Sequence, residues 1–250
     1  MIILITGASA GFGADIARVL APLGHRIIAT ARRTDRLEAL ADEIGRDRVL
    51  PVALDVTDKE AVFEAIDGLP ADWSEIDVLV NNAGLALGLE AAQSAHLDNW
   101  ERVIDTNVKG VAYLTRAVLP GMVARDRGHI VNMGSVAGTW PYFGGNVYGA
   151  SKAFVRQFSL NLRADLAGTK VRVTNIEPGL VAGTEFSSVR FAGDDAKAAN
   201  IYANTTPLTS EDVAETVRWV VTLPAHFNVN TIEIMPVVQS FGGLKVQKEG

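Results

Sequence analysis

The sequence predicts an α/β fold, a parallel sheet with helices on both faces. Two observations carry that prediction. Short apolar, β-branched runs alternate with segments of helical periodicity along the whole chain, the pattern of βαβ units joined by right-handed crossovers. A glycine cluster, Gly7-Ala8-Ser9-Ala10-Gly11-Phe12-Gly13, joins the first run directly to the first helical segment.

Taken in order, strands are expected at Ile2–Thr6, Arg26–Ala31, Val49–Ala53, Ile76–Val80, His129–Met133, Val171–Ile176 and Thr231–Met235. Between them lie helices with readable ends. Thr34 precedes Leu37, Leu40 and Ile44 at helical spacing, and Gly45 supplies the stop. Thr57 followed by Glu60 reads as a capping box that opens a helix through Ile66. No repeat, low-complexity tract or linker divides residues 1–250, so a single domain is expected, with a less regular insertion around Thr184–Thr206.

Composition removes several functional classes. With 48 % hydrophobic and 21 % charged residues the chain can bury a core without staples, which excludes disorder. It has no Cys, so a disulfide scaffold, a thiolate metal site and a Cys nucleophile are all excluded. A net charge of −6 argues against a nucleic-acid partner, which needs a basic surface. The apolar start Met1–Ile5 is too short for a signal segment and lacks a basic flank. The longest charge-free window, Gly128–Ser151, holds six Gly and Pro141 and is no membrane helix. A cytoplasmic protein without membrane partners is expected. His25, His96, His129 and His226 have no ligand-like spacing, and Asp194-Asp195 reads as a solvated loop, so no metal is expected.

The glycine cluster lets the backbone turn sharply and approach a pyrophosphate, whose charge meets the free N–H groups of the following helix. Where an NAD-binding unit carries an acid at the end of its second strand, this chain has Thr30-Ala31-Arg32-Arg33. A guanidinium pairs with a 2′-phosphate that a carboxylate would repel, so NADP(H) is the expected cofactor. Asp55, after the third strand, is either an acceptor for the adenine amino group or an ordinary loop acid. Asn81-Asn82-Ala83-Gly84, after the fourth, suits a backbone lying against a cofactor. Ser135 ends the fifth strand. Tyr148 and Lys152 are spaced i, i+4, which puts phenol and ammonium on one helix face. A nearby cation favours the phenolate and so lowers a tyrosine pKa from about 10.

Together these residues resemble the short-chain dehydrogenase/reductase family along essentially the whole chain. The resemblance implies a single-domain Rossmann-type doubly wound parallel sheet of about seven strands, order 3-2-1-4-5-6-7. It implies catalytic roles for Ser135, Tyr148, Lys152 and, from Thr106-Asn107-Val108, Asn107. Ser135 would hold the reacting oxygen, Tyr148 transfer its proton, Lys152 lower the tyrosine pKa and bind the nicotinamide ribose, and Asn107 position a relay water. Gly7, Ser9, Gly11, Phe12, Gly13, Arg32, Arg33, Asp55, Val56, Asn82, Ala83 and Gly84 would line the coenzyme with Tyr148 and Lys152. Pro178, Gly179, Val181 and Thr184 match the family's nicotinamide-contacting segment, with one residue more before Thr184 than the family pattern.

Gly145–Tyr148, Phe154–Leu160 and Ile234–Val237 are similar to a bacterial branch of that family, the NADP-dependent 3-hydroxy acid dehydrogenases, and to the related sulfoacetaldehyde reductases. The implied substrate is a small hydroxy acid or anionic aldehyde, such as serine, allo-threonine, 3-hydroxypropionate, malonic semialdehyde or sulfoacetaldehyde. Arg190 is either the clamp for its anion or a surface arginine of a lid spanning residues 184–206, where Lys197 also lies. Trp140, Tyr142 and Phe143 either wall the pocket or belong to the core. The resemblance also implies a homotetramer, and the tail Phe241–Val246 either reaches a neighbouring subunit or frays. The rival reading is a non-catalytic NADP(H) sensor on the same fold.

Overall fold

Alternate residues of strand β1 (Ile2–Thr6) point to opposite faces. Ile3 and Ile5 join one apolar cluster and Leu4 joins the other, all three fully buried. A strand buried on both faces belongs inside a parallel sheet covered by helices. The structure, a computed structural model, describes residues 1–241, apart from the side chains at 195 and 198. Its sheet has seven parallel strands in the order β3-β2-β1-β4-β5-β6-β7, as expected. The others are β2 (Arg26–Ala31), β3 (Val49–Ala53), β4 (Val78–Asn81), β5 (Gly128–Met133), β6 (Val171–Pro178) and β7 (Thr231–Ile234). β4 begins later than expected because Asp77 turns its carboxylate back to accept from the Ile2 N–H at 2.9 Å. β6 runs on to Pro178, which stands opposite Ile234.

Helices α1 (Gly11–Leu20), α2 (Thr34–Ile44) and α9 (Ser210–Thr222) cover one face, through Ile16, Leu20, Leu37, Leu40, Val213 and Val217. On the other face lie α3 (Lys59–Asp67), α5 (Val111–Ala124) and α6 (Asn146–Asp165), through Val62, Leu114, Met122 and Leu162. The remaining helices are α4 (Leu97–Ile104), which runs through a π-turn at Asp105–Gly110 into α5, and the short α7 (Phe186–Arg190) and α8 (Asp195–Asn200) within the irregular insertion. Gly45 closes α2 at φ 121°, a conformation open to glycine. The expected cap of α3 is corrected by one residue. Asp58 accepts from the Ala61 N–H, while the Thr57 hydroxyl turns away to Asp55 at 2.8 Å. Among the described residues no helix is long and apolar enough to cross a membrane.

Strand order places the carboxyl ends of β1 and β4 side by side. The winding reverses between them, and such a reversal opens a crevice above the sheet. Of the residues expected to do chemistry, Asn107 lies in the π-turn between α4 and α5, Ser135 follows β5, and Tyr148 and Lys152 stand on α6.

Candidate active site

The crevice is a cavity of about 390 Å³ that runs from Arg32, Arg33 and Asp55, past the glycine turn and Asn82–Gly84, to Tyr148 and Lys152. The backbone of the turn is shaped for close approach. Gly7 and Gly11 have φ of 69° and 53°, and a Cβ on Gly13 would stand 2.5 Å from the Gly7 carbonyl oxygen. Ala10, the residue before α1, offers no side-chain cap, so the first N–H groups of the helix lack a side-chain acceptor. That is the donor set a pyrophosphate requires. Thr6 Oγ1 accepts from the Asn82 and Ala83 N–H groups at 3.0 and 2.9 Å, and Asn82 Nδ2 donates to the Thr6 carbonyl at 2.8 Å. The loops after β1 and β4 therefore form one rigid wall. Val56 backs this wall, packed so closely against Gly110 that a Cβ there would lie 2.9 Å from it.

At the far end of the crevice, Arg33 donates from Nε and Nη2 to Ser9 Oγ at 3.2 and 3.0 Å. Its Nη1 meets Glu185 at 2.8 Å, and Arg36 takes the other oxygen of that carboxylate at 2.7 Å. Arg32 stands 3.8 Å from Asp55, whose second oxygen accepts from the Thr57 N–H and hydroxyl. The guanidiniums of Arg32 and Arg33 and the Ser9 hydroxyl, which line that end of the cavity, are chemically matched to a phosphomonoester.

At the near end, α6 carries Tyr148 and Lys152 one turn apart. Lys152 is buried, and its Nζ donates to the Met133 carbonyl at 2.7 Å. Burial draws the ammonium down to about 8. Burial likewise pushes the Tyr148 phenol up to about 12, against the opposing pull of a Ser135 hydrogen bond and the Arg190 charge. The expected lowering of the tyrosine by Lys152 is thus replaced by a different balance. The ammonium is aimed at the Met133 carbonyl and lies 5.8 Å from the centre of the Tyr148 ring. Ser135 Oγ accepts from the Ala137 N–H at 3.1 Å, which fixes it at the mouth of β5.

Asn107, in the π-turn, is buried. Its Oδ1 accepts from the Leu85 N–H at 2.9 Å, and its Nδ2 donates to the Leu85 carbonyl and to Ser151 Oγ at 2.9 and 3.0 Å. Both Nδ2 protons are used, which leaves the side chain only acceptor capacity for a relay water.

A second cavity of about 350 Å³ opens on the other side of Tyr148. Ser135 and the segment Pro178, Gly179 and Val181 form its floor, and Trp140, Tyr142 and Phe186 its walls. Phe12 and Thr184 line both cavities, and Thr184 packs 3.2 Å from where a Gly11 Cβ would sit, so the extra residue before it does not move it off the site. Phe143 is 64 % exposed and lines neither cavity. Arg190 reaches into the second one. Its guanidinium lies 5.2 Å from the Tyr148 ring centre, Nη2 donates to the Tyr142 hydroxyl at 3.2 Å, and Nε is buried without a partner. Lys197 pairs instead with Asp194 at 3.1 Å and lines neither cavity.

Sequence reasoning missed Glu185 and Arg36, and also Tyr202 and Gln239, which line the second cavity. Tyr202 donates to the Val181 carbonyl at 3.1 Å, and Gln239 accepts from the Leu180 N–H at 2.7 Å. No local pattern marks either residue, because each is defined by a partner far along the chain. Of the tail, Phe241 packs on Trp140 at 4.5 Å, and Gly242–Val246 lie outside the described residues.

Known proteins resemble this chain in sequence and in fold. The chain is 66 % identical over 248 residues to the NADP-dependent 3-hydroxy acid dehydrogenase YdfG of Salmonella typhi, covering 99 % of this chain and 100 % of that one. It is 48 % identical over 247 residues to the serine 3-dehydrogenase of Rhizobium radiobacter, covering 99 % and 98 %. The closed form of a serine dehydrogenase complexed with NADP+ superimposes with a TM-score of 0.98 at 62 % identity, over 100 % of both chains. Serine dehydrogenase from Escherichia coli superimposes with a TM-score of 0.86 at 57 % identity, over 96 % of this chain and 100 % of that one. The short chain dehydrogenase family model matches residues 1–194, and the chain belongs to that family.

Proposed function

We propose that this protein is an NADP(H)-dependent dehydrogenase that interconverts a small 3-hydroxy acid and its carbonyl form. The observation that carries the reading is the position of Tyr148. Its ring stands on the wall between two cavities, one ending in an arginine cluster and the other crossed by Arg190. The first cavity takes the coenzyme, with Arg32 and Arg33 at its 2′-phosphate and Lys152 at its nicotinamide ribose. When bound, the nicotinamide supplies or accepts hydride at the substrate carbon.

The chain's own residues supply the rest. Ser135 holds the substrate oxygen and so sets the distance from that oxygen to the Tyr148 hydroxyl. A phenol held up near 12 is neutral at physiological pH, the form required to donate a proton as a carbonyl is reduced. Giving up that proton leaves a phenolate, which the Ser135 hydrogen bond and the Arg190 charge favour, and in oxidation this phenolate accepts the proton of the substrate alcohol. Asn107 keeps Leu85 and the adjoining Gly84 in place beneath Lys152. The Arg190 guanidinium pairs with the substrate anion, carboxylate or sulfonate, and Trp140 and Tyr142 exclude water from that end.

Support for a 3-hydroxy acid comes from the names of the two relatives and from the short reach between Tyr148 and Arg190. The test is a panel of kcat/KM values over serine, 3-hydroxypropionate, 3-hydroxyisobutyrate, malonic semialdehyde and sulfoacetaldehyde with each coenzyme. Turnover of the carboxylates with NADP(H) is expected to dominate. Preference for sulfoacetaldehyde would move the assignment to isethionate formation, and no turnover of any member would favour the sensor. β7 lies at one edge of the sheet among the described residues. That edge is the face through which the expected homotetramer would assemble, and sizing chromatography reads the assembly.

A further inference from the structure

Glu185 has no part in the chemistry above, yet it sits between the two ends of the site. It is the residue immediately before α7, the short helix that carries Phe186 and Arg190. Its two oxygens are held separately, one by Arg33 at 2.8 Å and one by Arg36 at 2.7 Å, although both arginines lie about 150 residues away. Arg33 is fixed in turn by two bonds to Ser9 in the glycine turn. The residue after Glu185, Phe186, packs on the Tyr148 ring at 5.7 Å, and Arg190, one turn of α7 further on, covers it at 5.2 Å. The far end of the same helix is tied down as well, because the Arg190 carbonyl accepts from the Gly88 N–H at 3.0 Å.

Two fixed ends make a strap. We propose that Glu185 is a positioning residue that fastens the substrate-covering helix α7 to the arginines of the coenzyme's phosphate end, and so sets where Arg190 stands over Tyr148. The inference rests on the reading that Arg33 faces the coenzyme and Arg190 the substrate anion. It adds that these two functions are mechanically joined through one carboxylate.

The chemistry makes the strap separable from coenzyme binding. Replacing a carboxylate beside a phosphate site with an amide removes a repulsion, so NADPH affinity is expected to hold or rise in Glu185→Gln. Losing two partly exposed ion pairs loosens α7 and moves Arg190, which raises KM for malonic semialdehyde by about threefold to tenfold. The kcat at saturation stays within about twofold of wild type, because Tyr148 and Ser135 stand on other elements. Glu185→Asp keeps the charge and restores most of the KM. With NADPH bound, trypsin cleaves after Arg190 faster in Glu185→Gln than in wild type, read by mass spectrometry.

An unchanged KM together with unchanged cleavage at Arg190 overturns the strap. So does a variant that loses NADPH affinity with no change in substrate KM, which would make Glu185 a member of the phosphate site only. Arg33→Gln in the same assays separates this failure from that of the underlying reading. If Arg33→Gln leaves NADPH affinity untouched, the coenzyme assignment itself is wrong. If it weakens NADPH while Glu185→Gln changes nothing, the strap alone is wrong.

Discussion

Lys152 stands in a buried site with a single carbonyl partner, and its cost to the fold can be measured. Drawing a lysine from 10.5 down to about 8 means the folded protein holds that proton less tightly than the unfolded chain does, at a cost of about 3 kcal/mol at neutral pH. Replacing Lys152 with Met removes this cost but strands the Met133 carbonyl it served, which returns about 1–3 kcal/mol. At pH 7, Lys152→Met is therefore expected to be as stable as wild type or up to about 2 kcal/mol more stable, while losing activity. The sign with pH follows from linkage. Below pH 8 both states are protonated and the cost is full. Between pH 8 and 10.5 the folded lysine is neutral while the unfolded one stays charged, so wild-type stability rises by about 1.4 kcal/mol per pH unit relative to the variant. Urea unfolding of both proteins at pH 7, 8, 9 and 10, at fixed protein concentration, reads the difference. The advantage of Lys152→Met is expected to shrink by about 2–3 kcal/mol between pH 7 and 10. A difference that stays constant across that range would refute the desolvated lysine.

Two further outcomes follow from the same geometry. Arg190→Leu is expected to raise KM for malonic semialdehyde about tenfold or more, the worth of a charge-assisted bond, and to leave KM for an uncharged aldehyde within about twofold. Equal changes for both substrates would assign Arg190 to the lid surface. Gly13→Ala places a methyl 2.5 Å from the Gly7 oxygen and 2.7 Å from Asn82 Nδ2, within a wall that has no slack. It is expected to cost about 1–3 kcal/mol in thermal unfolding and to weaken NADPH binding measurably by fluorescence titration.

Much of this molecule was legible in its sequence, for identifiable reasons. Strands β1, β2 and β3 fall where expected because a run such as Ile2–Thr6 is apolar throughout and sits between turn residues. The Tyr148–Lys152 spacing puts both groups on one face because an α-helix repeats every 3.6 residues. What periodicity cannot encode is a pairing across the fold. Arg33 reads in the sequence as a partner for a 2′-phosphate, and nothing near it or Arg36 announces a carboxylate from the insertion. The π-turn at Asn107 leaves no mark in residue type. The spacing of Thr57 and Glu60 pointed to Thr57 as the cap of α3, but Asp58 takes that place, because the neighbouring Asp55 holds the threonine hydroxyl. The pKa balance at Tyr148 was also beyond sequence, since it turns on burial and on Arg190, which reaches the ring only through α7.

The central assignment, a phenol that moves the proton while the coenzyme occupies the crevice beside it, is tested most directly by removing one oxygen atom. In Tyr148→Phe, NADPH is expected to bind as in wild type while its oxidation by malonic semialdehyde, followed at 340 nm, falls by about a thousandfold. Turnover that persists in this variant at the wild-type rate would contradict the assignment.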